Sequence, residues 1–213
     1  MLKMNIKRYK LIFWDFDGVI KDSALIKIDA FVKLFESYGP EIKNKILHHN
    51  LTEGGMTRFE KFPLYCRWAN IEPTNDKILE LSEKFKELVL QAVINSNWIP
   101  GVEKLLRNNP YNQKFILASG TPQDEMIEII HALGLYDCFL DIFGSPNSKS
   151  RAIKISLSKY NIDPIDTLFV GDSKSDMNAA DAFKIPFLLR VHPSNKAIFL
   201  NFQGNIVEDF VKC

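Results

Sequence analysis

The chain has 213 residues, 46% of them apolar and 25% charged, and its 27 basic and 26 acidic residues leave a formal net charge of +1. This length suits one large domain, or a domain that carries a smaller inserted unit. Because the chain has neither an excess of charge nor a block of like charges, we expect no nucleic acid and no anionic membrane surface among its partners.

The apolar runs and the cysteines of the sequence do not indicate an exported protein. The first apolar run is too short for the core of a signal peptide, and no run reaches the roughly 18 apolar residues of a membrane-spanning helix. We therefore expect a cytoplasmic protein. Cys66, Cys138 and Cys213 are odd in number and far apart, so we expect reduced thiols rather than a disulfide framework or a zinc site.

Five short apolar runs are predicted to form the strands of one sheet. They are nearly continuous rather than alternating, which is typical of strands covered on both faces, and helical patterns lie between most of them. This combination predicts a parallel α/β sheet. The runs are residues 11–16, 115–119, 139–145, 167–172 and 186–191.

The gap between the first two runs is far longer than an ordinary strand-helix-strand crossover. Amphipathic patterns predict helices over residues 25–35, 42–47, 57–69 and 78–92. Thr57 and Glu60 form a capping-box pair for the third of these helices, which Pro63 is expected to kink or shorten. We therefore predict an all-helical insert over residues 22–95 within an α/β domain that comprises residues 1–21 and 96–213.

Acidic residues follow two of the predicted strands directly. Asp15 and Asp17 follow the first strand, and Asp172 and Asp176 follow the fourth. Because parallel strands end at the same edge of a sheet, the four carboxylates are expected to converge there, where open α/β sheets bind ligands. Carboxylates alone, without paired histidine or cysteine ligands, predict a hard cation such as Mg²⁺.

The second and third strands end in groups that suit a phosphate. Ser119, Gly120 and Thr121 precede a helix predicted to start at Pro122 and to stop at Gly134, and a hydroxyl with backbone N–H groups at a helix start can hold phosphate. Lys149 follows the third strand, where its ammonium can neutralise a phosphoryl oxygen.

In this order and spacing the residues resemble the motifs of the haloacid dehalogenase-like hydrolase superfamily. Asp15-Phe16-Asp17-Gly18-Val19 is similar to its first motif, Ser119 to its second, Lys149 to its third and Gly171-Asp172-Ser173-x-x-Asp176 to its fourth. The insert resembles the helical cap of phosphoglycolate phosphatase-like and β-phosphoglucomutase-like members. The resemblance implies a Rossmann-like sheet of order 3-2-1-4-5 with an inserted all-helical cap domain.

The resemblance also implies a role for each motif residue. Asp15 is expected to be the nucleophile and a Mg²⁺ ligand, and Asp17 the general acid and base, with its backbone carbonyl on the metal. Asp172 is expected to bind Mg²⁺, and Asp176 to orient a metal-bound water or Lys149. The phosphoryl group is expected to lie against Ser119, Gly120 and Thr121, with its charge balanced by Lys149.

A glycine-containing loop, residues 54–58, joins two helices of the insert and resembles the specificity loop of the family. Arg58 and Lys61 are therefore expected to contact a carboxylate, a second phosphate or a sugar of the substrate. We interpret His48 and His49 as surface residues.

The leading hypothesis is a Mg²⁺-dependent phosphatase of a small phosphorylated metabolite, acting as a monomer or weak homodimer. One alternative is a phosphomutase, although mutases of this kind carry histidine where this sequence has Lys27. A second alternative is a non-enzymatic receiver module that accumulates aspartyl-phosphate. The size of the insert and the spacing of Asp15 and Asp17 argue against the receiver.

Overall fold

The computed structural model describes residues 6–212 and contains one six-stranded parallel sheet of order β3-β2-β1-β4-β5-β6. The predicted α/β class and the order of the first five strands are confirmed. The strands are β1 (Leu11–Trp14), β2 (Lys114–Pro122), β3 (Asp141–Ser145), β4 (Thr167–Gly171), β5 (Phe187–Arg190) and β6 (Asn205–Val207).

The sixth strand and several strand ends correct the sequence prediction. β6 is a three-residue edge strand that is only half-buried, so its apolar pattern is too short to identify it. The third strand begins two residues later than predicted, whereas β2 continues to Pro122. As a result Pro122 caps the following helix instead of starting it. The stop at Gly134 is confirmed, with φ of +62°.

The described part of the chain contains eight α-helices. Four of them fall within residues 22–95, where the sequence predicts the helical insert, and the third continues past Pro63 to Trp68. They are α1 (Ala24–Leu34), α2 (Pro40–Thr52), α3 (Arg58–Trp68), α4 (Asn75–Asn95), α5 (Val102–Asn108), α6 (Gln123–Ala132), α7 (Lys149–Tyr160) and α8 (Lys174–Ala182).

The central strand β1 is buried on both faces, as its continuous apolar run predicts. Successive side chains of a strand point to opposite faces. Accordingly, Leu11 and Phe13 pack with residues of α7 and α8 in one core cluster, while Ile12 and Trp14 pack with α5 and α6 in the other. Packing on both faces holds β1 in the centre of the sheet. The acidic motif follows directly at its carboxyl end.

Aromatic rings of the insert pack together as part of the larger core cluster. The ring of Phe31 on α1 lies 5.4 Å from Phe62, 5.7 Å from Tyr65 and 4.3 Å from Phe85, measured between ring centroids. These contacts join α1, α3 and α4 around one cluster. Helix α4 also packs on α6, so the insert rests against the helical layer of the sheet.

The cysteine prediction is tested at two of its three positions. Cys66 and Cys138 are free thiols, and Cys213 lies outside the described residues. None of the helices between residues 6 and 212 is long and apolar enough to cross a membrane.

Candidate active site

Three of the four carboxylates that were predicted to converge meet at the carboxyl edge of the sheet, and the Asp17 carboxylate is not among them. The backbone N–H of Asp15 donates to Val170 of β4, which brings Asp15 beside Asp172 at the end of that strand. One oxygen each of Asp15, Asp172 and Asp176 lies within 4.8 Å of the other two. Burial, reinforced by the negative charge of Asp176, raises the pKa of Asp15 well above its ordinary value.

Lys149 enters this cluster from the first residue of α7. Its Nζ lies 3.0 Å from Asp15 Oδ1 and also contacts Asp176 Oδ1. Burial alone would lower the pKa of Lys149, but the two carboxylates raise it above its usual range, so the ammonium stays charged. Lys149 therefore contacts both Asp15 and Asp176.

Asp176 also completes the start of α8. Its Oδ2 accepts from the backbone N–H of Ser173 at 3.0 Å and from the Ser173 hydroxyl at 2.5 Å. This capping box leaves Oδ1 for Lys149. Asp176 therefore holds Lys149 in place, which is one of the two roles that the sequence suggested for it.

The donor set fits a hard divalent cation. Three buried carboxylates with converging oxygens repel one another, and the single ammonium of Lys149 balances only part of their charge. Oxygen donors without thiolate suit Mg²⁺. The Asp17 carboxylate faces elsewhere, because both of its oxygens accept hydrogen bonds from α1 and from the turn before it. Only its backbone carbonyl remains for the predicted metal contact.

Gly18 permits the close approach of the two acidic motifs. It has φ of +74°, and a Cβ there would lie 2.2 Å from Asp172 Oδ2. Since any larger residue would displace the carboxylate, the glycine of the first motif has a direct steric role in the site.

The loop after β5 contributes three residues that the sequence analysis missed. His192 Nε2 lies 2.9 Å from Asp172 Oδ2, and Ser194 Oγ lies 2.7 Å from the other ring nitrogen. Asn195 Nδ2 donates to the Asp172 carbonyl at 2.8 Å. Because histidine and asparagine are common in loops, only their proximity to a buried acid distinguishes them.

A His192→Ala variant is expected to bind Mg²⁺ about 10- to 100-fold more weakly, because Asp172 loses the group that orients it. Isothermal titration of the purified protein with MgCl₂ measures this directly. The exposed His131 on α6 gives a matched control, His131→Ala, which should bind Mg²⁺ like the wild type. Equal affinities for the His192 variant and the wild type would refute this orienting role.

The predicted phosphate cradle lies at the end of β2. Gly120 and Thr121 line a cavity between the sheet edge and the insert. Ser119 is buried, and its hydroxyl accepts from the backbone N–H of Thr121 at 3.1 Å. The same cavity is lined by further predicted residues: Asp15, Asp17, Arg58, Lys61, Lys149 and Asp172.

The loop of residues 54–58 lies next to this predicted cradle. A Cβ at Gly55 would lie 2.0 Å from Ser175 Oγ, so glycine is needed where the insert meets the first turn of α8. A Cβ at Gly120 would lie 4.0 Å from the carbonyl oxygen of Gly55. The loop of the insert therefore covers the acidic edge of the sheet.

Arg58 and Lys61 are both buried in the wall of the cavity, but they differ in partners. Arg58 Nη2 lies 2.7 Å from Glu125 Oε1 on α6. Lys61 Nζ donates to the neutral Asn50 Oδ1 at 2.8 Å and has no carboxylate partner within residues 6–212. Burial and the nearby Lys27 ammonium lower the pKa of Lys61 to about 8.

The two adjacent histidines of α2 have different environments. His48 is exposed, as predicted, but His49 is half-buried, with Nδ1 2.9 Å from the Tyr65 hydroxyl. The surface prediction is therefore wrong for His49, because α3 packs over this face of α2.

This architecture defines a Rossmann-like α/β enzyme whose acidic, lysine-containing site is covered by a helical insert. The chain belongs to the haloacid dehalogenase-like hydrolase family, whose model matches residues 12–189. The predictions of the family and of a hydrolase are confirmed.

Similar proteins include several phosphatases. A phosphorylated carbohydrates phosphatase of Thermotoga maritima is 26% identical over 175 residues, which is 79% of each chain. The fold is shared with a predicted phosphoglycolate phosphatase of Haemophilus somnus, with a TM-score of 0.74, 19% identity and 96% of each chain covered. It is also shared with a β-phosphoglucomutase of Clostridium difficile, with a TM-score of 0.72, 19% identity, and 95% of this chain and 92% of that chain covered.

Proposed function

We propose that the protein is a Mg²⁺-dependent phosphatase that hydrolyses a small phosphorylated metabolite, a sugar phosphate or a phosphorylated acid, through an aspartyl-phosphate on Asp15. The observation that carries this proposal is the buried contact of Lys149 Nζ with Asp15 Oδ1 at the edge of the sheet, in a cavity that also contains Asp17. A nucleophile, a cation and a second acid are thus available to one substrate.

The first half of the reaction makes a covalent intermediate. An Asp15 oxygen attacks phosphorus, the bond to the leaving oxygen breaks, and Asp17 donates its proton to that oxygen. The N–H group of Gly120 and the Lys149 ammonium stabilise the charge on the phosphoryl oxygens. Mg²⁺ would be held by Asp15, Asp172 and the Asp17 carbonyl, and it would supply further charge neutralisation for phosphoryl transfer.

The second half releases phosphate. Asp17 takes a proton from water, whose oxygen attacks the phosphorus and breaks its bond to Asp15. The insert loop lines the cavity at Gly55 and is expected to limit the entry of bulk water when substrate is bound. A mutase would instead return the phosphoryl group to a sugar hydroxyl.

The substrate class is inferred from the walls of the cavity. Burying an ammonium without a counter-ion costs several kcal/mol, so Lys61 favours a ligand that brings a second negative charge. Arg58 is less available for this role because Glu125 already neutralises it. Sugar bisphosphates and phosphorylated acids carry such a charge, and a relative named for phosphorylated carbohydrates supports this class.

The experiment that tests the function is a phosphate-release screen of sugar phosphates, sugar bisphosphates and phosphorylated acids, with MgCl₂ or with EDTA. We expect Mg²⁺-dependent release of inorganic phosphate. Isomerised sugar phosphate with little free phosphate would indicate the mutase. A stable aspartyl-phosphate without turnover would indicate the receiver module.

A Lys61→Met variant is expected to raise the KM for a substrate with a second anionic group about tenfold more than the KM for phenyl phosphate. A hydrogen bond to a charged group contributes about 1.5–3 kcal/mol, which matches a tenfold effect or more. Steady-state kinetics on both substrates measure the difference, with Lys43→Met, an exposed position on α2, as control. Equal changes of KM would exclude a second-anion contact at Lys61.

A further inference from the structure

The Asp17 carboxylate is held at both oxygens by one turn of the insert. Ser23 Oγ, at the residue before α1, donates to Oδ1 at 2.6 Å, and Lys27 Nζ donates to Oδ2 at 2.5 Å. Ser23 and Lys27 are four residues apart and therefore share one face of the helix start.

Lys27 also reaches the phosphate cradle. Its Nζ donates to Thr121 Oγ1 at 2.6 Å, so a single ammonium connects the end of β1 with the end of β2. The side chains of Lys27 and Asp17 are only 16% and 19% exposed. A charge-assisted pair with so little solvent contact holds its geometry more firmly than an exposed surface pair.

From these contacts we propose that Lys27 is a positioning residue that fixes the acid-base carboxylate of Asp17 relative to the cradle. The inference rests on the proposed phosphatase function, in which Asp17 transfers a proton to the leaving oxygen. Without Lys27, Asp17 keeps only the Ser23 contact, and its carboxylate can rotate away from the leaving group. Proton transfer requires hydrogen-bond distance and alignment, so this rotation should slow the step.

Dependence on the leaving group separates this role from a general structural one. An alkyl alcohol needs the proton from Asp17 as it departs, whereas 4-nitrophenolate departs readily without one. A Lys27→Met variant should therefore lose about 10- to 100-fold more kcat on an alkyl phosphate than on 4-nitrophenyl phosphate, within the range that positioned acid catalysis contributes. Lys33→Met, at an exposed position on the same helix, should show no such selectivity.

A double-mutant cycle completes the test. In an Asp17→Asn background the leaving-group selectivity should already be present, and adding Lys27→Met should increase it by less than about twofold, because both changes disable the same group. A Lys27→Gln variant, which keeps one donor, provides a second substitution if the methionine variant does not fold. The selectivity should then be smaller but in the same direction.

Two outcomes would overturn the inference. One is an equal loss of kcat on both substrates for the Lys27 variants, and the other is a loss that adds fully to that of Asp17→Asn. The wild-type assay keeps this result separate from the proposed function. Without phosphate release by the wild type the phosphatase proposal fails, whereas wild-type release with unselective variants rejects only the role of Lys27.

Discussion

An Asp15→Asn variant is expected to release phosphate at less than about one-thousandth of the wild-type rate, because an amide cannot attack phosphorus as a carboxylate does. The substitution changes the volume of the side chain very little. It also removes one charge from a cluster in which burial and Asp176 already disfavour the ionised acid. We therefore expect the thermal midpoint of the metal-free variant to equal or exceed that of the wild type.

Two measurements make this result specific. When the wild type is mixed with substrate labelled in its phosphoryl group and quenched rapidly in acid, the label should be found on Asp15. The Asp15→Asn variant should carry no label. Asp29→Asn provides a matched control at an exposed position on α1 and should keep full activity. If Asp15→Asn retained more than a few per cent of the rate, the covalent mechanism would be wrong.

The acidic edge of the sheet was predictable because it depends on local sequence. Asp15 and Asp172 each follow a short apolar run directly, and parallel strands must end at one edge. The Lys149 position follows from the same rule. To place these residues next to one another, only the order of the strands was needed in addition, and the family resemblance implied that order.

The partners of these residues were not predictable, because they come from distant segments by way of tertiary packing. Lys27 reaches Asp17 only because α1 folds back across the carboxyl edge, and His192 reaches Asp172 from a loop without a motif. The ion pair of Arg58 was likewise not predicted, because its partner Glu125 lies 67 residues further along the chain. A single sequence carries no signal that pairs such residues.

The Arg58–Glu125 ion pair joins the insert to the sheet domain in a nearly dry environment. The two side chains are 4% and 3% exposed, and Arg58 Nη1 also donates to the Ser82 carbonyl at 3.3 Å. The guanidinium carbon lies 4.5 Å from the centroid of the Phe85 ring. Removing either partner therefore leaves the other charge buried without a counter-ion.

An Arg58→Met variant is expected to lower the free energy of unfolding by about 3–5 kcal/mol, because it leaves the Glu125 carboxylate buried without a partner. Urea denaturation followed by circular dichroism measures this loss. Lys86 and Glu128 form a matched control, since they join α4 to α6 with a 2.9 Å contact but are largely solvated. Lys86→Met should cost about 1 kcal/mol or less.

Replacing both partners distinguishes the cost of a stranded charge from the value of the pair. In Arg58→Met/Glu125→Leu neither charge of the buried pair is left, and apolar side chains of similar volume can pack against Phe85. We therefore expect the double variant to recover most of the lost stability, because buried pairs replaced by apolar groups are often neutral or stabilising. If the double variant were as unstable as the single one, the cost of an unpaired buried charge would not explain the loss. The ion pair itself would then stabilise the contact between the insert and the sheet domain.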